Sequence, residues 1–217
     1  MTPAVDVALV DYKAGNLTSV KKALAAVRAS VFVPQTPSEL EKAAAIVVPG
    51  VGHFNATRAL DRSWVETIRG LVDRGRPLLG ICLGMQWLFE ASEEAPELTG
   101  LGLLPGTCVR LKPDTTDKNE SSVRLQPDLK VPHVGWNSLS LTRSSWIADG
   151  VAHDAQVYFT HSYAAPLTAD AVALTAHGQQ FAAIVERGRV AGVQFHPEKS
   201  GDVGLRILRN FVGLAAR

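Results

Sequence analysis

Along the first half of the chain, short apolar runs alternate with stretches whose apolar residues recur every three or four positions. Residues 5–10, 31–33 and 44–48 are apolar runs, and a fourth, Pro77-Leu78-Leu79, leads into Gly80. Between them, residues 17–29 and 56–73 carry helical periodicity, and a short helix is expected from Ser38 beside a proline. Strands apolar on both faces and separated by helices predict a mostly parallel sheet covered by helices on both sides. Function in such sheets collects in the loops at the carboxyl ends of the strands. Three unusual loops fall there: the one opening at Asp11, Pro49-Gly50-Val51-Gly52, and Gly80-Ile81-Cys82-Leu83-Gly84.

After Glu94 the runs shorten. Residues 107–111, 132–141, 156–163, 171–176, 181–186 and 190–195 read as strands with turn residues between them, an additional antiparallel β region in the second half. A last helix is expected over 203–214. Residues 112–130 are polar and read as an exposed insertion. With no repeat and no linker, residues 1–217 are expected to form one α/β domain.

Composition narrows the function. A chain of 217 residues with 46% hydrophobic content can bury a full core. A net charge of +1 with scattered basic residues gives no electrostatic footprint for nucleic acid. No run approaches the length of a membrane span, and the N-terminus has no signal-peptide pattern. The only two cysteines are Cys82 and Cys108, a sparse count that fits a reducing, cytoplasmic setting.

Cys82 is the first candidate for chemistry. An apolar strand, a glycine-flanked turn and the helix-like stretch 85–90 make a nucleophile elbow with sulfur in place of oxygen. The glycines permit the tight turn, and the positive end of the helix dipole favours the thiolate. A base is available in Gln194-Phe195-His196-Pro197-Glu198. The proline pushes His196 towards extended backbone, where residues two apart share a side. Glu198 can then accept from one ring nitrogen while the other faces Cys82, a nucleophile, base and orienter. The His-x-Glu spacing also fits half a metal site, but no third ligand accompanies it, so neither metal nor cofactor is expected. Gln86, four residues after Cys82 on a helix, shares its face. His53, His153 and His177 read as ordinary surface or loop residues, and Trp136, taken alone, as a core residue.

These motifs resemble the class I glutamine amidotransferases. The elbow and the Gln194 to Glu198 segment carry the broad resemblance. Asp11-Tyr12 with Ala14-Gly15-Asn16-Leu17, Pro49-Gly50-Val51-Gly52, Pro132-His133-Val134-Gly135-Trp136-Asn137, Tyr158 to Tyr163 and His196 to Ser200 narrow it to the glutaminase subunits of imidazole glycerol phosphate synthase. The resemblance implies a flavodoxin-like fold and a Cys82–His196–Glu198 triad that hydrolyses glutamine through a γ-glutamyl thioester. It also implies an oxyanion hole from Val51 and Leu83, formed after a peptide reorientation that Gly50 and Gly52 make cheap. Glutamine would be bound by Gly50, Gly52, Gln86, Glu94, His161, Ser162 and Tyr163. A cyclase subunit would receive the ammonia through a channel, making imidazole glycerol phosphate and aminoimidazole-carboxamide ribotide in histidine biosynthesis, with Asn16, Trp136 and Lys199 at the interface. The alternative is a glutaminase serving another synthase, against which residues 132–137 argue. Lys13 departs from the family pattern, which has glycine there.

Overall fold

The structure, a computed structural model, describes residues 4–15, 17–112 and 130–217. The expected insertion over 112–130 therefore lies almost wholly outside the described residues, as does Asn16.

The predicted parallel core is present. Strands β1 (Val5–Leu9), β2 (Ala29–Phe32), β3 (Ala45–Val48) and β4 (Leu78–Ile81) pair in parallel in the order β2-β1-β3-β4. Helix α1 (Leu17–Ala26) links β1 to β2, and α2 (Arg62–Asp73) precedes β4. The short helix α3 (Leu83–Trp87) follows β4 directly. The second half adds β5 (Ala91–Ser92), β6 (Thr107–Arg110), β7 (His133–Ser138), β8 (Ser140–Leu141), β9 (Gln156–His161), β10 (Tyr163–Ala164), β11 (Ala171–His177), β12 (Gln179–Arg187) and β13 (Val190–Val193), then helix α4 (Gly201–Ala215). Strand β13 inserts parallel beside β4, and β12, β11 and β8 extend the same sheet antiparallel to eight strands. Strands β7 and β9 form a separate antiparallel pair, and β10, β6 and β5 a small third sheet.

Alternation along the central strands explains why both faces are covered. Val7, Leu9, Val47, Leu79, Ile81 and Val193 point to one side, against Val20 and Leu24 of α1 and Ile207, Leu208 and Phe211 of α4. Ala8, Ile46, Val48 and Leu78 point to the other, against Ile68 and Leu71 of α2 and against α3. Each fully buried apolar side chain contributes about 1.5–3 kcal/mol, so the strands buried at every position, β3, β4 and β13, read as unbroken apolar runs.

Several boundaries differ from the sequence expectation: the helix-like stretch 85–90 is a helix that ends at Trp87, and the expected strand over 156–163 breaks at Ser162, β9 pairing with β7 and β10 with β6. The first helix stops at Ala26 because Arg28 turns left-handed (φ 66°) and Ala29 already pairs with Val5. The expected helix over 56–73 is two elements. A 3-10 turn, Phe54–Ala59, precedes α2, and Asp61 caps α2 by accepting from the amides of Ser63 and Trp64. The expected strand over 132–141 splits at Leu139, so that β7 pairs with β9 while β8 joins the central sheet.

Candidate active site

Strands β4 and β13 lie side by side, with Gly80 opposite Gly192 and Ile81 opposite Val193. Residues just beyond their carboxyl ends therefore meet: Cys82 after β4, Gln194 and His196 after β13. The turn at Cys82 is strained, and the strain sits on the cysteine itself (φ 53°, ψ −108°) rather than on its glycines. Gly84 is required for a different reason, since a Cβ there would collide with the carbonyl oxygen of Val48. Gly80 likewise has the Gly84 carbonyl and Met85 Cα against it. The elbow is a close approach of backbones with one strained residue at its apex.

The thiol is not on the surface. Cys82 is only 4% exposed and opens into a cavity of about 270 Å³. The Cys82 thiol donates to the carbonyl of Thr160 at 3.8 Å, and Gln194 Nε2 donates to Sγ at 3.7 Å. Cys108, the other cysteine, is free and buried, and burial pushes its thiol up.

His196 is extended (φ −97°, ψ 99°), as the following proline requires. Pro197–Lys199 then form a 3-10 turn instead of continuing extended, and Glu198 still reaches the ring, Oε1 lying 2.8 Å from Nδ1. Both side chains are buried. Burial pulls the His196 imidazole down, but the Cys82 thiol and the Glu198 carboxylate outweigh it and push its pKa up to about 9. Among the described residues, the buried polar side-chain atoms without a hydrogen-bond partner are His196 Nε2, Glu198 Oε2, Tyr12 Oη and Arg189 Nε. Three of these four belong to this site, where unsatisfied groups are characteristic of chemistry waiting for a substrate.

Both amides expected in the oxyanion hole are engaged. The Val51 N–H donates to the Ala14 carbonyl and the Leu83 N–H to the Gly50 carbonyl, each at 3.3 Å. Gly52 lies in the left-handed region (φ 110°) with open space around it.

The cavity is lined by Val51, Gly52, Cys82, Leu83, Gln86, Glu94, Pro132, Thr160, His161, Ser162 and Tyr163. All the expected glutamine-binding residues except Gly50 are among them, and Gly50 lies one residue behind Val51. Gln86 spends its amide N–H groups inside the protein, donating to the Tyr163 carbonyl (2.7 Å) and to Gln194 Oε1 (3.2 Å). Glu94 accepts from the Phe54 amide at 2.7 Å. His161 is buried, and its Nδ1 lies 2.9 Å from the Tyr163 carbonyl, which only a ring N–H can satisfy. Its Nε2 then accepts from His133 Nδ1 at 3.1 Å, and His133 Nε2 accepts from Asn137 Nδ2 at 3.3 Å.

A continuous hydrogen-bonded path thus runs from Asn137 on β7 through His133, His161, Tyr163, Gln86 and Gln194 to the Cys82 sulfur. Gln194 and His133 were missed as site residues in the sequence. Gln194 stands two residues before His196, and that extended spacing was the available signal. His133 offered none, because its role depends on the β7–β9 pairing. His177, expected to be an ordinary surface residue, stacks on His133 with ring centroids 4.1 Å apart.

Trp136 is not a core residue: it is 57% exposed, edge-on to Tyr158 at 6.0 Å. Lys199 is exposed with its ammonium 5.7 Å from the Tyr158 ring, a cation–π arrangement. Lys13 adopts φ 63°, where glycine is favoured, and pairs with its own Asp11 at 2.9 Å.

Residues 8–214 match the glutamine amidotransferase class-I family. The chain is 41% identical to the imidazole glycerol phosphate synthase subunit HisH of Methanothermobacter thermautotrophicus, over 95% of this chain and 97% of that one. It is 43% identical to the subunit of the same name from Halalkalibacterium halodurans, over 94% and 93% of the two chains. With that from Gloeobacter violaceus it shares 46% identity, over 100% and 92%. Among solved structures, a glutamine amidotransferase superposes with a TM-score of 0.71 at 20% identity, covering 97% of this chain and 99% of that one. Those relatives span the whole αβ core, the elbow and the His196 turn, and so the chain belongs to the class I glutamine amidotransferases and, within them, to the HisH subunits of imidazole glycerol phosphate synthase.

Proposed function

We propose that this chain hydrolyses glutamine to glutamate and ammonia and hands the ammonia to a cyclase subunit, which makes imidazole glycerol phosphate and aminoimidazole-carboxamide ribotide in histidine biosynthesis. The observation that carries the chemistry is the strained Cys82 beside a His196 imidazole that Glu198 orients and whose pKa the Cys82 sulfur and the Glu198 carboxylate together raise.

A protonated imidazole favours a neighbouring thiolate. The Cys82 thiolate attacks the side-chain amide carbon of glutamine, and the carbonyl π electrons move onto oxygen. His196 gives its proton to the amide nitrogen, the C–N bond breaks, and ammonia leaves a γ-glutamyl thioester. His196 then takes a proton from water as the hydroxyl adds to the thioester carbon, and collapse releases glutamate and restores the thiolate. Glu198 holds the ring through Nδ1, so that Nε2 does the proton transfer.

The tetrahedral oxyanion needs two donors, and losing one such donor typically costs about 3 kcal/mol. Turning over the Gly50–Val51 peptide would free the Leu83 N–H of its carbonyl and bring the Val51 N–H round beside it. That gives the chain a resting state in which glutamine is not wasted, and gives the cyclase a step to control. Glu94 and residues 161–163 are placed to hold the amino-acid end of glutamine. The partner face takes in Trp136 and Lys199. Two unpaired cysteines, one of them required as a thiol, fit a cytoplasmic setting. Among the described residues no helix is long and apolar enough to cross a membrane.

The test is glutamate release by the purified chain, alone and with the cyclase subunit and its nucleotide substrate, beside Cys82→Ala. Weak activity alone, a large rise in the loaded complex and none in the variant are expected. Strong activity indifferent to the cyclase would remove the partner from the proposal, and activity surviving in Cys82→Ala would remove the thioester.

A further inference from the structure

Tyr12 is the one residue with an unsatisfied atom at this site that the chemistry above leaves without a task. Tyr12 follows β1, is buried, and its hydroxyl has no hydrogen-bond partner. It sits against Gly50 so closely that a Cβ on that glycine would collide with Oη. Burial, and after it the nearby Cys82 sulfur, push its pKa up, so it is a neutral donor at any working pH.

The resting hydrogen bonds say what this donor is for. Gly50 O accepts from the Leu83 N–H and the Val51 N–H gives to Ala14 O, both at 3.3 Å, the long and weak end of the range. A rotation that brings the Val51 N–H towards Leu83 carries the Gly50 carbonyl the opposite way, towards Ala14 O. Two carbonyl oxygens would then face one another, and the turned peptide would be opposed unless a donor met it. The Tyr12 hydroxyl is a buried, unspent donor packed on that glycine. Gly50 must be glycine to admit it.

We propose that Tyr12 is a positioning residue whose hydroxyl donates to the Gly50 carbonyl once the Gly50–Val51 peptide has turned, latching the oxyanion hole open for catalysis. The latch rests on the oxyanion reading above and deepens it. It acts through the peptide and does not touch glutamine. The hydroxyl is idle in the resting state and engaged in the active one, so removing it weakens only the active one.

Tyr12→Phe tests this, because it deletes one oxygen from a packed ring. In the complex with the cyclase subunit and its nucleotide substrate, kcat for glutamine should fall about tenfold, the worth of one neutral hydrogen bond, with KM within about twofold of wild type. The melting temperature of the free variant should equal or exceed that of wild type, since an unsatisfied hydroxyl has been removed from the resting fold. The pH profile of Cys82 alkylation by iodoacetamide in the free chain should not move.

An unchanged kcat in an active complex overturns the latch and leaves the glutaminase reading intact. A fall in melting temperature also overturns it, by making the hydroxyl structural. So does an alkylation profile displaced to higher pH, by assigning the hydroxyl to the sulfur. A wild-type complex that releases no glutamate overturns both readings.

Discussion

Cys82 carries a backbone conformation that residues other than glycine rarely adopt, φ 53° and ψ −108°, at the turn from β4 into α3. Such strain costs about 1–3 kcal/mol and persists only where the surrounding structure overdetermines it. The Cys82 amide is held by the Val193 carbonyl at 2.8 Å, and the Cys82 carbonyl accepts from the Gln86 amide at 3.1 Å, so neither end of the residue can relax. Two substitutions that both abolish a thiol should therefore differ in stability. Cys82→Ala keeps the strain, whereas Cys82→Gly releases it and loses about 0.4–1 kcal/mol to unfolded-state entropy. Cys82→Gly should melt about 2–4 °C above Cys82→Ala, which calorimetry would resolve. Equal melting temperatures would mean that the elbow stores no strain. The elbow at Cys82 was legible as a candidate site in the sequence from the glycines on either side of the cysteine. The location of the strain was not legible, because a collision between Gly84 and the Val48 carbonyl exists only once β3 and β4 are side by side.

At the scale of elements, the parallel strands were readable because burial on both faces makes them uniformly apolar; β3, β4 and β13 are buried at every position. The β7–β9 pair was not. Its inward residues include His133 and His161, which look polar in sequence and become core by bonding to each other, with His133 stacked on Phe159 at 4.7 Å. That pairing has a consequence for pH. Burial holds His161 down to about 3 and, with His177 beside it, His133 down to about 4. The unfolded chain binds both protons near the ordinary value of 6.5, while the folded chain refuses them. Stability is then fully present above pH 6.5 and is lost as pH falls, by about 1.4 kcal/mol per pH unit for each histidine. His196 works in the other direction. Its pKa is raised to about 9, so its contribution is complete below 6.5 and is lost as pH rises through 9. Urea midpoints of the free chain should pass through a maximum near neutrality. Between pH 6.5 and 5.5, above the carboxylate range, the slope should be roughly halved in His133→Asn. A wild-type stability flat over that interval would refute the neutral pair.

On the scale of the whole molecule, the cavity and the proposed partner face share a strand. Pro132 lines the cavity at the start of β7, His133 turns inward, and Val134 and Trp136 turn outward, each 57% exposed. Among the described residues the other exposed large apolar side chains are Leu167 and Val51, and Val51, 38% exposed, lines the same cavity. A protein seated on β7 would cover these apolar groups and close over the cavity. The Tyr158 ring beneath Trp136 also carries Lys199, three residues beyond His196, so the same face reaches the His196 turn from its other side. An aromatic anchor of this kind carries a large share of binding energy when buried by a partner, while a rim ammonium mainly steers encounter. Trp136→Ala should weaken binding of the cyclase subunit by about 2 kcal/mol, roughly thirty-fold in Kd, with the melting temperature of the free chain nearly unchanged. Lys199→Ala should act on the association rate and its salt dependence more than on the lifetime of the complex. Titration calorimetry and stopped-flow association would separate the two. If Trp136→Ala lowered the melting temperature and left Kd alone, the tryptophan would be a lid over Tyr158, and the partner would have to reach the cavity from another side.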